Sequence, residues 1–127
     1  MSSTTQFDIA ARITVLANGA ISKGQRLVYE SANTYAPAGL TDKADAVAEQ
    51  DIADGAYGQV KLLSGADTFT ALSGGDISDG DVVYGAADGE FSDTQGTGAF
   101  AEAIALQDAA DGELFEARHK PGFTAGS

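Results

Sequence analysis

The sequence predicts an all-β protein, a small β-barrel or sandwich built from two repeated β units with an extended N-terminal arm. The first observation is a set of Asn-Gly and Asp-Gly dipeptides between strand-forming residues, which is typical of tight hairpin turns. The second is an apolar pattern with a period of two, and the third is an internal repeat. The turn dipeptides begin at Asn18, Asp54, Asp88 and Asp111.

The repeat relates residues 44–61 to residues 101–118, a shift of about 57 positions. An upstream segment is also repeated, since residues 21–25 return in similar form as residues 77–81. The identical pairs are Ala44/Ala101, Ala46/Ala103, Ala48/Ala105, Gln50/Gln107, Asp51/Asp108, Ala53/Ala110, Asp54/Asp111 and Gly55/Gly112. These are small residues and turn residues rather than a catalytic set, which favours a structural or binding role.

Two copies indicate a duplicated unit inside one fold, because stacked repeat arrays need three or more copies. We therefore predict one β domain at 13–120, with the repeat at roughly 20–65 and 76–122. An N-terminal arm precedes this domain at 1–12, and a tail follows it at 121–127.

The first half begins with a predicted strand at 12–16, followed by the Asn18-Gly19 turn and a second strand at 27–30. Residues 31–42 are predicted as a loop because they contain Asn, Pro and Gly. Residues 41–51 contain helix formers and a possible helix cap at Thr41. Their second copy has a period of two, so we predict strands in both copies.

The remaining elements follow the same logic. Each copy passes through an Asp-Gly turn into a return strand, at 57–63 and at 114–119. Short strands are predicted at 68–72 and 82–84, and Asp88-Gly89 opens a hairpin into Phe91.

Three alanines share one face of each repeated strand, namely Ala44, Ala46 and Ala48 in the first copy and Ala101, Ala103 and Ala105 in the second. A face restricted to methyl groups implies that another surface packs closely against it. That surface is either the interior of a narrow barrel or a neighbouring subunit. We favour the barrel interior, because inward positions of small barrels often hold small residues.

Composition limits the possible functions. The chain has 127 residues and a net charge of -12, and residues 62–117 contain acidic side chains but no Lys or Arg. Such a surface repels nucleic acid and anionic lipid, so neither is an expected partner. Leu, Ile, Val and Phe make up only about a fifth of the chain, which predicts that subunit association supplies part of the buried area.

No cysteine is present, so disulfides and thiolate metal sites are excluded. The N-terminus has neither a basic nor an apolar signal region, and no apolar run approaches the length of a membrane span. We therefore expect a protein that stays on the cytosolic side until assembly.

Two kinds of chemistry are disfavoured by residue spacing. Asp76, Asp79 and Asp81 do not follow the EF-hand or nonapeptide calcium patterns, and turn geometry accounts for them. His119 is the only histidine, lies between Arg118 and Lys120 at a predicted exposed strand end, and has no nucleophile motif nearby. We predict no metal, no cofactor and no catalytic residue.

Several segments resemble the small capsid cement, or head decoration, proteins of tailed bacteriophages. The second half carries the stronger similarity, and the first half matches more loosely, so that most of 13–120 is covered. The segments of the second half are Gly80-Asp81-Val82-Val83-Tyr84, Asp88-Gly89-Glu90-Phe91, Ala103-Ile104-Ala105-Leu106 and Ala109-Ala110-Asp111-Gly112-Glu113, with the closing strand to Arg118. Those of the first half are Gly24, Leu27-Val28, Ala46-Val47-Ala48 and Ala53-Asp54-Gly55-Ala56.

The resemblance implies a non-enzymatic β protein, typically a homotrimer, on the outside of a shell of major capsid protein. It would be assembled in the host cytoplasm and would strengthen the virion capsid against DNA pressure. As capsid-binding residues we predict the polar arm with its single aromatic residue and the unrepeated loop of the first half. These residues are Ser2, Ser3, Thr4, Thr5, Gln6, Phe7, Tyr35 and Pro37.

The alternative function is a carbohydrate-binding or fibre-like adhesion module, which would also be all-β and acidic. Such modules usually expose several aromatic side chains on one face, and this chain has no Trp and only four Tyr. A small hydrolase is disfavoured by the single histidine.

Overall fold

The computed structural model describes residues 12–63 and 67–120. These residues form ten strands and one short 3₁₀ segment, Ala87–Gly89, and no α-helix lies among them, which confirms the predicted all-β class. The strands are β1 (Arg12–Ala17), β2 (Arg26–Ser31), β3 (Thr34–Pro37), β4 (Ala46–Ala48), β5 (Tyr57–Leu62), β6 (Thr68–Leu72), β7 (Val82–Gly85), β8 (Phe91–Ser92), β9 (Ala101–Ala105) and β10 (Leu114–His119).

Each repeat forms its own sheet. The first five strands close into a barrel in the order β1-β3-β2-β4-β5, with β3 parallel to β1. The other five are ordered β6-β10-β9-β7-β8, and a parallel bridge between Ser73 and Phe91 brings the two outer strands of this sheet together. The cyclic order of strands is therefore the same in both halves. Two repeated β units, as predicted, follow one another in the chain, the first as a closed barrel and the second as a five-stranded sheet.

The structural repeat begins earlier than the sequence similarity, because β1 and β6 are equivalent strands. Ala17 accepts a backbone hydrogen bond from Gly55, and Ser73 accepts the same bond from Gly112, at 2.9 and 3.0 Å. These strands share little sequence, so the comparison of residues alone did not pair them.

The predicted loop at 31–42 is wrong in its first part, since Thr34–Pro37 is strand β3. Ala32 and Asn33 have φ angles of 43° and 63°, so the chain reverses in a tight left-handed turn directly after β2. Alanine rarely adopts this conformation, and the sequence therefore carried no recognisable hairpin signal. The prediction for 41–51 was correct in type, but the strand is short, Ala46–Ala48.

Four of the six alanines of the repeated faces lie in the cores of the two units, as favoured from the sequence. Ala46 and Ala48 are buried in the first core, together with Val15, Leu27 and Val60. Ala103 and Ala105 are buried in the second core, which also contains Phe69, Phe91 and Phe115. Val47, on the other face of β4, belongs to the second core. Strand β4 is thus buried on both faces and joins the two halves.

Candidate functional site

The junction between the repeats is built around Arg26, a fully buried arginine on β2. Its Nη1 atom donates a hydrogen bond to the carbonyl oxygen of Ala86 in the second repeat, at 2.8 Å. Its Nη2 atom donates to the carbonyl oxygens of Asp42 and Gly39 in the first repeat, at 2.5 and 3.2 Å. The guanidinium carbon lies 5.9 Å from the centre of the Phe91 ring. A single side chain therefore links backbone from both halves.

Glu102 on β9 is the acidic partner of Arg26 and is equally buried. Its Oε2 atom lies 3.5 Å from Arg26 Nε and accepts a hydrogen bond from the backbone N–H of Ala44 at 2.9 Å. Burial raises the pKa of Glu102 and lowers the pKa of Arg26, although each side chain favours the charged form of the other. Removing either partner would leave a buried charge without its counter-ion.

Further polar contacts tie the repeats together around this pair. Backbone N–H groups of Leu72 and Gly89 donate to the carbonyl oxygens of Gly24 and Ala38, at 2.9 and 2.8 Å. The side chain of Lys61 also donates to the carbonyl oxygen of Thr68. These contacts, with Val47 in the second core, fix the relative position of the two repeats.

The sequence analysis did not identify Arg26 or Glu102 as important residues. A signal was present at Glu102, because it is the one charged residue in Ala101–Ala105, a strand of small and apolar residues. A carboxylate in such a strand indicates either a solvent-facing edge or a buried partner, and sequence alone does not locate the partner.

The unrepeated segments of both halves form a common surface, which we call the loop surface, at 37–42 and 93–98. A Cβ atom on Gly96 would lie 3.0 Å from Leu40, and one on Gly98 would lie 3.0 Å from Thr41. The absence of side chains at these glycines allows the two loops to approach closely. Leu40 is 38% exposed and gives this surface an apolar element.

The structure separates the residues predicted to bind the capsid. Pro37 is half-buried at the end of β3, where it is the first residue of the loop surface. Tyr35 points into the first core with 7% of its surface exposed, and its ring packs edge-on against Tyr29 at 5.6 Å. Ser2, Ser3, Thr4, Thr5, Gln6 and Phe7 lie outside the described residues.

The repeated polar residues have structural partners. Asp51 Oδ1 accepts from the backbone N–H of Lys23, and Asp108 Oδ1 accepts from that of Asp79, both at 2.8 Å. The two repeated glutamines also accept backbone N–H bonds, Gln50 from Gln59 and Gln107 from Glu116. Within 12–63 and 67–120, no group of three potential metal ligands is assembled.

One residue of the basic tripeptide at the end of β10 is not exposed as predicted. Arg118 is exposed on β10 and Lys120 directly after it, but His119 is buried next to the second core, where it pairs with Ala103. The prediction for His119 was wrong because strand alternation turns its side chain away from the face that carries Arg118.

A sequence model of phage cement proteins matches residues 5–119. The chain belongs to the phage cement protein family. It is therefore a capsid-associated structural protein of a bacteriophage, and the resemblance noted in its sequence is confirmed.

Among solved structures, this cement protein is similar to the head fibre gp8.5 N base of bacteriophage phi29. The TM-score is 0.73 at 22% sequence identity, and the match covers 88% of this chain and 95% of the other. At this identity the likeness shows a shared fold. No curated protein matched the sequence. In the part of the chain that the structure describes, no helix is long and apolar enough to cross a membrane.

Proposed function

We propose that this cement protein binds the outer surface of an assembled phage capsid and stabilises the shell without turning over any substrate. The observation that carries the proposal is the family match, which extends from residue 5 to residue 119 and so includes both repeats. The partner is the major capsid protein, and the place of action is the exterior of the virion, after assembly in the host cytoplasm.

The junction supports a mechanical role. Arg26 and Glu102 are buried and cross-link the repeats, and Val47 of the first repeat is part of the second core. Two repeats joined in this way transmit force as one body, because separating them would leave the buried charges of Arg26 and Glu102 without each other. A binder that spans a joint between capsid subunits needs such stiffness to oppose their movement.

Association as a homotrimer would multiply the contacts with the shell. A capsid under DNA pressure fails at the joints between capsomers, and several weak contacts on one body are released together only rarely. The small supply of large apolar residues, with 24 alanines in the chain, supports a requirement for buried area between subunits.

The docking contacts are expected to come from the N-terminal arm and from the loop surface beside Pro37. The arm contains Phe7 as an aromatic anchor among polar residues. The net charge of -12 disfavours nucleic acid and anionic lipid as the surface that is bound. A variant lacking residues 2–7 should bind heads more weakly with an unchanged circular dichroism spectrum. Equal affinity after the deletion would remove the arm from the docking site.

Cosedimentation tests the proposal. Purified protein is mixed with heads that lack it, sedimented, and quantified in the pellet against increasing protein concentration. Saturable binding at a fixed ratio to the major capsid protein is expected. Pelleting no greater than that of an unrelated acidic protein of similar size would contradict the proposal.

A further inference from the structure

The outer face of the first barrel carries a row of three residues that all become buried against the second repeat. Arg26, Val47 and Lys61 are direct neighbours across β2, β4 and β5. Arg26 contacts Ala86 and Glu102, Val47 enters the second core, and Lys61 bonds the carbonyl oxygen of Thr68. We call these three residues the first row. It is the surface with which one repeat docks on the other.

The sheet of the second repeat carries the equivalent row at the same place in its strands. Val82 pairs with Ile104, and Ile104 pairs with Arg118, across β7, β9 and β10. We call these three residues the second row. Two positions keep their chemistry between the rows, since Ile104 replaces the branched aliphatic Val47 and Arg118 replaces the long cation Lys61. Only the position of Arg26 changes, to Val82.

The second row is open where the first row is covered. Arg118 is exposed, and Val82 and Ile104 are half-buried. Leu106, two residues beyond Ile104 on the same face of the chain, is 39% exposed. Ile104 and Leu106 thus form an apolar centre beside the cation Arg118. This arrangement faces solvent, whereas the matching arrangement in the first repeat forms an interface.

We infer that the second row docks on the first repeat of another copy of this chain. We assign a second copy of this chain as the partner because the first row already packs on a β unit of this same fold. The acceptor is the Arg12 end of β1, because the equivalent strand β6 receives Lys61 at Thr68. Among the described residues, β3 pairs only with Leu16 and Ala17 of β1, so the Arg12 end of β1 is paired on its β5 side alone.

Arg118 is the first cation after residue 61. It places a positive side chain at the contact, which offsets part of the repulsion between two copies that each carry a net charge of -12. The positive side chain of Arg12 at the acceptor is paired with Glu49, at 2.5 Å. The contact is head to tail, since each copy offers one donor row and one acceptor end, and it forms the ring of a homotrimer where the rotation between copies closes. The inference therefore rests on the homotrimer of the proposed function and assigns its interface.

The experiment measures the assembly state of the full chain by light scattering and sedimentation velocity at micromolar concentration. Ile104→Glu and Arg118→Glu each place an acidic charge in the second row. Tyr57→Glu is the control, because Tyr57 is 69% exposed and lies outside both rows. We expect the two row variants to weaken association by more than about tenfold, the cost of burying an unpaired charge, and the control to match the unmodified protein.

Disulfide cross-linking tests the proposed acceptor, the Arg12 end of β1, with cysteine substitutions that keep the fold. The chain has no cysteine, so R118C and R12C variants, at the positions equivalent to Lys61 and Thr68, can be mixed and oxidised. We expect a disulfide-linked heterodimer that does not form when Y57C replaces R12C. A row variant that associates as the unmodified protein does, or a protein that is monomeric at every concentration, would overturn the inference. Failure to bind heads by a protein that assembles through this face would contradict the proposed function only.

Discussion

The carbonyl oxygen of Gly24 accepts a hydrogen bond from the backbone N–H of Leu72 at 2.9 Å, and this bond replaces one that the first repeat makes internally. There, the equivalent N–H of Leu16 donates to the carbonyl oxygen of Asn33 at 3.0 Å. Strand β3 has four residues and closes the first barrel, whereas β8 has only two. The turn at Gly24 in the first repeat thus supplies a hydrogen-bond acceptor to the edge of the sheet in the second repeat.

Substitution of Gly24 by alanine tests this relationship. A Cβ atom there would lie 2.7 Å from Leu114 Cδ2 and 2.8 Å from Leu72 N, and the φ angle is +89°. Gly80 is the matched control, with a φ angle of +92° and no atom within 4 Å of its Cβ position. We expect G80A to lower the free energy of unfolding by about 1 kcal/mol and G24A by about 2–5 kcal/mol, measured by urea denaturation. Equal losses would show that the turn does not pack tightly on the second repeat.

The buried ion pair at the junction should contribute far more to the free energy of unfolding than a surface ion pair does. Arg26→Met leaves the buried carboxylate of Glu102 without its partner and should cost about 3–5 kcal/mol of unfolding free energy. Breaking the Arg12–Glu49 pair, whose side chains are 46% and 26% exposed, should cost less than about 1 kcal/mol. Denaturant titrations of the two variants provide the comparison. Similar small losses at both pairs would contradict the role assigned to the junction.

The stability of the junction should depend on pH in a defined direction. Burial raises the pKa of Glu102 above its ordinary value of 4.5, so the folded protein binds this proton more tightly than the unfolded chain does. Glu102 therefore adds stability as the pH falls through the raised pKa towards 4.5. Against E102Q, which does not titrate, the unmodified protein should gain unfolding free energy over this interval. A relative loss on acidification would show that ionised Glu102 is the favoured form.

The repeated aspartates should act on stability through their turns and not through a metal. Asp51→Ala and Asp108→Ala each remove an acceptor 2.8 Å from a backbone N–H and should cost about 1 kcal/mol. Melting temperatures of the unmodified protein should be the same with calcium and with chelator. A calcium-dependent rise in melting temperature that D108A abolishes would restore the calcium interpretation, which the ligand spacing disfavours.

Sequence reasoning recovered the elements whose signals are local. The period of two in the alanine strands and the Asp-Gly turns predicted strands and hairpins, because both depend on residues close in the chain. The repeat predicted two β units, but its similarity is confined to turns and alanines. The pairing of β1 with β6 as equivalent strands therefore needed the structure.

The contacts between repeats were beyond the reach of the sequence. Arg26 and Glu102 are far apart in the chain, and nothing in their local patterns pairs them. Strand β3 was missed because Ala32 adopts a positive φ angle without a glycine or an Asx-Gly signal at that turn. The missed strand also explains Tyr35, which was predicted as a docking residue in a loop but lies on β3 and belongs to the first core.

The most direct test of the central claim is the temperature at which heads release their DNA. Heads lacking this protein are heated with and without it, and released DNA is followed by a dye that does not enter intact heads. Our account predicts a higher release temperature with the protein, saturating at the same ratio as binding in cosedimentation. Release at the same temperature in both samples would contradict capsid stabilisation and favour the adhesion function.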